Sequence, residues 1–231
     1  MNQNAQNEAL KRTQIFATLE DAARLEISKL VNWRGYEKDV EVVSYKDNAR
    51  DVYFLAEGYV RATNFSASGK EISYQEMGPG SMFGELSAID AKPRTANVIT
   101  LQHSVVGCMS CPDFWHVMES YPQVAAGVMI RLAALVRFLS DRVYQFGALD
   151  VKDRVRAEVL RLARENSSDG RSAVIERMPT HIEIANRINT HREAVTRELN
   201  ELIRLGLIKK DRRVLNVPDI DTLAELLPED I

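Results

Sequence analysis

Residues 83–98 read Phe83-Gly84-Glu85-Leu86-Ser87-Ala88-Ile89-Asp90-Ala91-Lys92-Pro93-Arg94-Thr95-Ala96-Asn97-Val98. One carboxylate, Glu85, and one guanidinium, Arg94, stand at either end of a short segment rich in small residues. A cyclic nucleotide needs such a pair. Its ribose 2'-hydroxyl must donate to an acceptor, and its singly charged phosphate suits a planar cation. Gly84 lets the backbone come close to a sugar. The small residues between leave N–H groups available as an inward-pointing anion nest. The bland alternative is a surface ion pair, but the Phe-Gly-Glu-Leu and Pro-Arg-Thr-Ala blocks occur together, and either alone would be weak.

Outward from this run, Glu41 to Met109 reads as short strands. Asp51–Arg61 is rich in β-formers with a glycine hinge at Gly58; Glu71–Tyr74 and Ala96–Thr100 follow. Ser68-Gly69-Lys70 and Gly78-Pro79-Gly80 are turn signals between them. This pattern predicts an antiparallel jelly roll able to enclose one small ligand. Helical pieces are expected near Leu19–Asn32 and Pro112–Ser120.

After Tyr121-Pro122 the period changes. Val128, Leu132, Leu135, Leu139, Val143 and Phe146 recur close to coiled-coil spacing, with Arg131, Arg137, Asp141 and Arg142 on other faces. A seam nearly thirty residues long exceeds what a small barrel needs and predicts a homodimer helix; the alternative is an amphipathic helix lying on its own barrel. Leu149-Asp150-Val151 follows, where known regulators with such a dimer helix have a similar-looking hinge, and Asn166–Gly170 reads as an exposed loop.

Residues 179–206 carry a second signal. Thr180-His181-Ile182-Glu183 has the form of a capping box, and Thr190-His191-Arg192-Glu193 repeats it, so two helices are expected to start there. Asn189 between them tolerates left-handed geometry, and Gly206 suits the stop of the second helix. Two short helices across a tight turn make a helix-turn-helix. Arg192, Glu193, Thr196 and Arg197 lie near the end that meets base edges, where arginine pairs with guanine and glutamate accepts from cytosine. Glu193 cannot fully serve as cap and reader at once. Leu207–Leu215 reads as a wing with a basic tip, and Lys209, Lys210, Arg212 and Arg213 suit phosphates.

The chain has 231 residues and 45% hydrophobic content, which fits two modest soluble domains. Its net charge of -3 excludes a globally basic nucleic-acid binder, so DNA contact requires a local basic face. Between Glu183 and Arg213 eight basic residues face five acidic ones, the sign that such a face requires. The longest apolar stretches are broken by charges, so no transmembrane segment is expected, and the N-terminus lacks secretory features. Two cysteines make no disulfide framework, which places the chain in a reducing cytoplasm. No nucleophile–base arrangement or catalytic carboxylate pair stands out, so no catalytic residue, no metal site and no enzyme are expected.

The 83–98 run closely resembles the phosphate-binding cassette of cyclic-nucleotide-binding domains, and Arg192-Glu193-x-x-x-Arg197 resembles the recognition helix of the catabolite activator family. The order of parts is similar to the catabolite-activator and fumarate-nitrate-regulator superfamily. The resemblance implies an α+β architecture: a cyclic-nucleotide-binding jelly roll with flanking helices over 1–121, a dimerisation helix over 122–149, and a winged helix-turn-helix over 150–231. It implies Glu85 on the ribose and Arg94 on the phosphate, with Phe83, Gly84, Leu86 and Thr95 around them. It implies palindromic GTGA-like half-sites in double-stranded DNA, read by Arg192, Glu193, Thr196 and Arg197, with Thr180, His191, Lys209 and Arg212 also on the DNA. It implies RNA polymerase as a partner, with the Asn166–Arg171 loop as a contact surface, and transcription regulation without a membrane.

Which nucleotide binds stays open. Leu139 and Ser140 stand where the family's Thr-Ser pair meets adenine, so one contact is missing. The Arg94-Thr95-Ala96 block is similar to cyclic-GMP cassettes, and Gln75 is a further base-facing candidate. Cyclic AMP is commoner in the family; cyclic GMP is the alternative. A rival from another class is a redox sensor through Cys108-Met109-Ser110-Cys111; the bland reading puts both cysteines at the last barrel strand. A second rival is a regulator active without ligand.

Overall fold

Glycine punctuation separates the first strands. Asp51–Arg61 breaks at Gly58 into two strands, because Gly58 has φ +88° and a Cβ there would sit 2.2 Å from Ser104 Oγ. In the computed structural model, which describes residues 2–228, the chain divides into two compact units, Met1–Val136 and Arg137–Ile231.

The first unit opens with α1 (Gln3–Arg12), a 3-10 turn (Gln14–Phe16) and α2 (Asp21–Ser28). Eight strands follow: β1 (Val31–Tyr36), β2 (Glu41–Val43), β3 (Val52–Glu57), β4 (Val60–Phe65), β5 (Glu71–Met77), β6 (Met82–Phe83), β7 (Asn97–Thr100) and β8 (Ser104–Met109), with α3 (Glu85–Asp90) after β6. They form two antiparallel sheets, ordered β1-β8-β3-β6 and β2-β7-β4-β5, the crossed connectivity of a jelly roll. The period of two along β3 builds two cores. Val52 and Phe54 face helical residues Phe16, Phe114 and Val124, while Leu55 meets Val43, Val60 and Val98 of the other sheet.

Two details differ from the sequence reading. The expected Leu19–Asn32 helix ends at Ser28, and Val31 already starts β1, paired along its length with β8. Its interior glycine and arginine hid the strand. The cysteines do not share a strand: Cys108 is on β8, but Cys111 begins α4 (Cys111–Ser120), because Ser110 caps that helix on Asp113 N at 3.2 Å.

α5 (Pro122–Ala148) runs out of the first unit into the second. Val124 and Val128 are buried in the barrel core, so Val128 is no part of a free seam. The exposed stripe is instead Met129, Val136, Leu139, Val143 and Phe146, with Val143 72% exposed, while Leu132 at the intervening step is half-buried against the first unit's core. By length and composition α5 is also apolar enough to cross a membrane, which corrects the expectation that no segment would be. It nevertheless carries arginines paired inside folded protein: Arg131 with Glu85 in the first unit, Arg142 with Glu158 in the second.

Past α5, the second unit holds α6 (Val151–Asn166), β9 (Ala173–Ile175), α7 (His181–Arg187), α8 (Arg192–Arg204), β10 (Lys209–Asp211), β11 (Val214–Val217) and α9 (Ile220–Ala224). Asp150 caps α6 by accepting from Asp153 N at 2.9 Å. The three strands pair in the order β10-β11-β9, so the wing hairpin gains a third strand that sequence reading did not supply. A separate core of Val155, Leu160, Ile184, Val195, Leu199, Leu202 and Leu215 holds the helices on this sheet.

Candidate functional site

The cassette is a helix between two left-handed residues. Gly84 (φ +84°) turns the chain out of β6, α3 makes fewer than two turns, and Ala91 (φ +59°) closes it. Arg94 follows and is 3% exposed. Its Nη1 donates to Gly84 O and its Nη2 to Asp51 O, each at 2.7 Å, and the guanidinium lies 5.6 Å from the Tyr53 ring centre. Tyr53 in turn stacks on Phe83 at 5.2 Å, and Phe83 is buried in the inter-sheet core. Burial and the neighbouring Cys108 push the Tyr53 hydroxyl up to about 12, against the pull of Arg94.

Glu85 is 4% exposed and faces Arg131 of α5, whose Nε is 3.7 Å from the carboxylate and whose Nη2 donates to Met82 O. Burial raises the Glu85 carboxyl above its ordinary value; Arg131, its own backbone N–H and Arg94 oppose that. Arg94 Nε and Arg131 Nε are buried without a hydrogen-bond partner. Buried N–H donors left without a hydrogen bond are costly; Arg131 Nε has the Glu85 carboxylate at 3.7 Å, so Arg94 Nε is the donor left for an incoming anion. A Cβ on Gly84 would lie 2.7 Å from Arg94 Nη1 and 2.9 Å from Asp51 O, so only glycine leaves this cradle open. A ribose phosphate fits these groups.

Leu86 is half-buried. Thr95 is exposed, its carbonyl accepting from Asn64 Nδ2 at 3.0 Å. Leu139 and Ser140 are exposed on α5 in the second unit. Tyr53 and Arg131 were missed from sequence. Arg131 carried a readable signal: Val124, Val128 and Arg131 continue one face at steps of four and three, and that face is buried in the first unit.

In the second unit, Thr180 closes a reciprocal capping box: its hydroxyl accepts from Glu183 N at 3.3 Å and its N–H donates to Glu183 Oε2 at 2.7 Å. Asn189 makes the left-handed turn (φ +50°). The second capping box does not form. Thr190 is buried in the turn with its N–H on Ala185 O at 2.9 Å, and His191 occupies the cap position of α8 without a side-chain bond. The competition foreseen for Glu193 therefore does not arise. Arg192, Glu193, Thr196 and Arg197 line one shallow open concavity with Asn200, which sequence reading did not select although it extends the 192–196 step by one turn. Arg212 (φ +51°) turns the wing between β10 and β11, and Lys209, Lys210, Arg212 and Arg213 are all exposed.

The two thiols have separate partners. Cys108 lies by Tyr53, its thiol raised by burial and Asp51 against the pull of Tyr53 and Arg94, while Cys111 Sγ donates to Ala88 O at 3.6 Å. A raised thiol opposes the thiolate that redox sensing uses. Among the described residues no group of three or more His, Cys, Asp or Glu is placed to hold a metal.

Comparison with known proteins agrees with this geometry. The family model described as a cyclic nucleotide-binding domain matches residues 33–121, and the Crp-like helix-turn-helix domain matches residues 153–226. The chain is 25% identical over 219 residues to a CRP-like cAMP-activated global transcriptional regulator of Mycobacterium tuberculosis, covering 94% of this chain and 98% of that one. It is 24% identical to the cyclic AMP receptor protein of Thermus thermophilus, covering 84% and 87%. Its fold is similar to the structure of FixK2 from Bradyrhizobium japonicum, with TM-score 0.75 and 19% identity over 86% of this chain and 98% of that one. A nucleotide cassette on a jelly roll, followed in the same chain by a winged helix-turn-helix, thus places this protein in the catabolite-activator and fumarate-nitrate-regulator superfamily of transcription regulators, which are not enzymes.

Proposed function

We propose that this chain is a homodimeric, sequence-specific DNA-binding regulator switched by cyclic AMP or cyclic GMP. The observation that carries the ligand is the buried Arg94 Nε, which makes no hydrogen bond, in the same cradle as Glu85 and its ion-paired Arg131. Glu85 accepts from the ribose 2'-hydroxyl. Arg94 meets the phosphate, and Gly84 and Leu86 supply close backbone approach. Arg131 belongs to α5, so ligand binding acts on the helix that leaves the barrel. Thr95 and Ser140 are the base-choosing hydroxyls, the first toward guanine and the second, from the other copy, toward adenine; Leu139 adds apolar contact.

In the DNA reading, Arg192, Glu193, Thr196 and Arg197 face GTGA-like base edges, and Thr180, His191, Lys209 and Arg212 fix the backbone. Ligand favours the dimer geometry that sets two recognition helices one DNA turn apart. RNA polymerase contact, through the Asn166–Arg171 loop, and a cytoplasmic site of action follow from the same reading.

Calorimetric titration with cyclic AMP and cyclic GMP, followed by duplex binding with and without each, tests the whole reading. Binding of at least one nucleotide, with tighter duplex binding in its presence, is expected. No heat with either nucleotide, together with unchanged melting, sinks the ligand assignment.

The dimer has its own test. Val136 and Val143 occupy the same heptad position on the exposed stripe, so Val136→Glu puts two like charges into one seam. Light scattering should then show a monomer where the parent chain is a dimer. The substitution lies on a solvent face of the single chain, so its melting should change little. A dimeric variant would move the interface elsewhere.

A further inference from the structure

The wing and the recognition helix are joined through one imidazole. His181, the first residue of α7, has Nδ1 2.7 Å from Thr196 Oγ1 on α8 and Nε2 2.9 Å from Lys210 Nζ on β10. Thr196 Oγ1 also donates to Arg192 O at 3.0 Å. Donor bookkeeping assigns the proton. An ammonium only donates, so Nε2 must accept. Nδ1 then carries the hydrogen and donates to Thr196, whose own hydrogen goes to the Arg192 carbonyl. Every group in the chain Lys210, His181, Thr196, Arg192 is satisfied once, and only with a neutral ring.

We infer that His181 is a positioning residue for sequence readout: as a neutral imidazole it fixes the wing lysine and the Thr196 hydroxyl relative to the base-reading turn of α8. This rests on the DNA-binding reading above and deepens it. His181 does not itself read a base. It decides where Thr196 and the Lys210 charge stand when Arg192, Glu193 and Arg197 arrive in the groove.

The arrangement is sensitive to acid. A second ring proton would set Nε2–H against Nζ–H, donor against donor and cation against cation. The charged groups acting on the ring from packed elements are Lys210 of β10 and Arg192 of α8, both cationic. Glu183, on its own helix, is engaged by Thr180. Burial, then Lys210 and Arg192, hold the imidazole below its ordinary value, so it is neutral at pH 7.5. As pH falls through that lowered value the ring charges, Lys210 is expelled and the link opens. Phosphates gain a cation as this happens, so affinity for any duplex rises while the advantage of the right sequence shrinks.

The test uses full-length protein, saturated with whichever nucleotide it binds. The two probes are a duplex that the parent chain selects from a randomised pool, and a scrambled duplex of the same composition. The readout is the ratio of the two dissociation constants by fluorescence anisotropy from pH 5.5 to 8. The parent chain should lose about 5–10-fold of its discrimination on acidification, the size of one lost hydrogen-bonded link. His181→Gln should show the reduced discrimination already at pH 7.5 and little further change. Lys210→Met should flatten the same profile with His181 present. His191 remains in all three proteins, so it cancels in the comparison. Equal discrimination and equal pH profiles in the parent chain and His181→Gln overturn the inference. If the pool yields no preferred duplex at any pH, the DNA-reading assignment itself falls, a result distinct from a preference that ignores His181.

Discussion

Arg94→Ala should weaken cyclic-nucleotide binding by about 100-fold or more and abolish ligand-stimulated DNA binding, while the barrel stays folded. Charge-assisted hydrogen bonds to an anion are worth about 1.5–3 kcal/mol each, and a guanidinium makes more than one. The truncation leaves the Gly84 and Asp51 carbonyls without their 2.7 Å donors, so some melting temperature is lost too. Arg94→Lys separates the two effects. Lysine restores charge but not the planar fork, so it should recover part of the stability and little of the affinity. Arg131→Ala should be milder. It removes the second Nε donor and frees Glu85, whose carboxyl then has only Arg94 and its own N–H against burial. Titration calorimetry on the three variants reads these differences directly. Unchanged affinity in Arg94→Ala would remove the nucleotide from the cassette.

What could be read from sequence, and what could not, divides along contact range. The cassette, the first capping box, Asn189 and the wing hairpin are local chemistry: each depends on residues within a few positions, so spacing alone reveals them. Gly58 belongs here too, since a hinge glycine inside a β-rich run already marks a turn. Tyr53 was invisible for the opposite reason, and Arg131 was legible only as a position on a buried helix face, not by its partner. Tyr53 gains its place through stacking on Phe83, thirty residues on, and Arg131 through Glu85, forty-six residues back. The seam shows the same limit within one helix. Val128 and Met129 both fit an apolar period; only burial of Val128 in the barrel core shows that the free stripe starts one residue later. Thr190 failed as a cap because the turn buries it, which its similarity to Thr180 gave no means of telling.

The winged unit rests on a buried charge, and Glu158→Ala should destabilise that unit by about 3–5 kcal/mol, the range for breaking a buried ionic group from one side. Glu158 of α6 has a side chain 1% exposed and holds three arginines: Arg161 at 2.8 Å, Arg187 of α7 at 3.1 Å and Arg142 of α5 at 3.7 Å. Arg142 also donates to the Arg187 carbonyl and lies between the rings of Phe138 and Phe146. Removing the carboxylate takes the shared counter-charge from the buried Arg142 and Arg187, while Arg161, a third exposed, keeps Glu165 at 2.6 Å, so the cost is mainly desolvation of buried cations rather than the worth of one ion pair. For a unit this size the melting temperature should fall by more than about 10 °C, measured by calorimetry on the full chain. The exposed Arg204–Glu201 pair is the control, and Glu201→Ala should leave melting almost unchanged. Acid should reproduce the defect. Burial alone would raise the Glu158 carboxyl, but Arg161, Arg187 and Arg142 together hold it below its ordinary 4.5. A carboxyl lowered by folding contributes stability that is present above pH 4.5 and lost as pH falls through the lowered folded value. The parent chain should therefore lose this unit's stability below pH 4.5, and Glu158→Gln, with nothing to protonate, should be weaker at neutral pH and flatter in acid. If Glu158→Gln keeps the parent's melting temperature and acid profile, the anchor between the end of α5 and the helix-turn-helix lies in the apolar core instead, and Arg142 is held there by its aromatic neighbours rather than by charge.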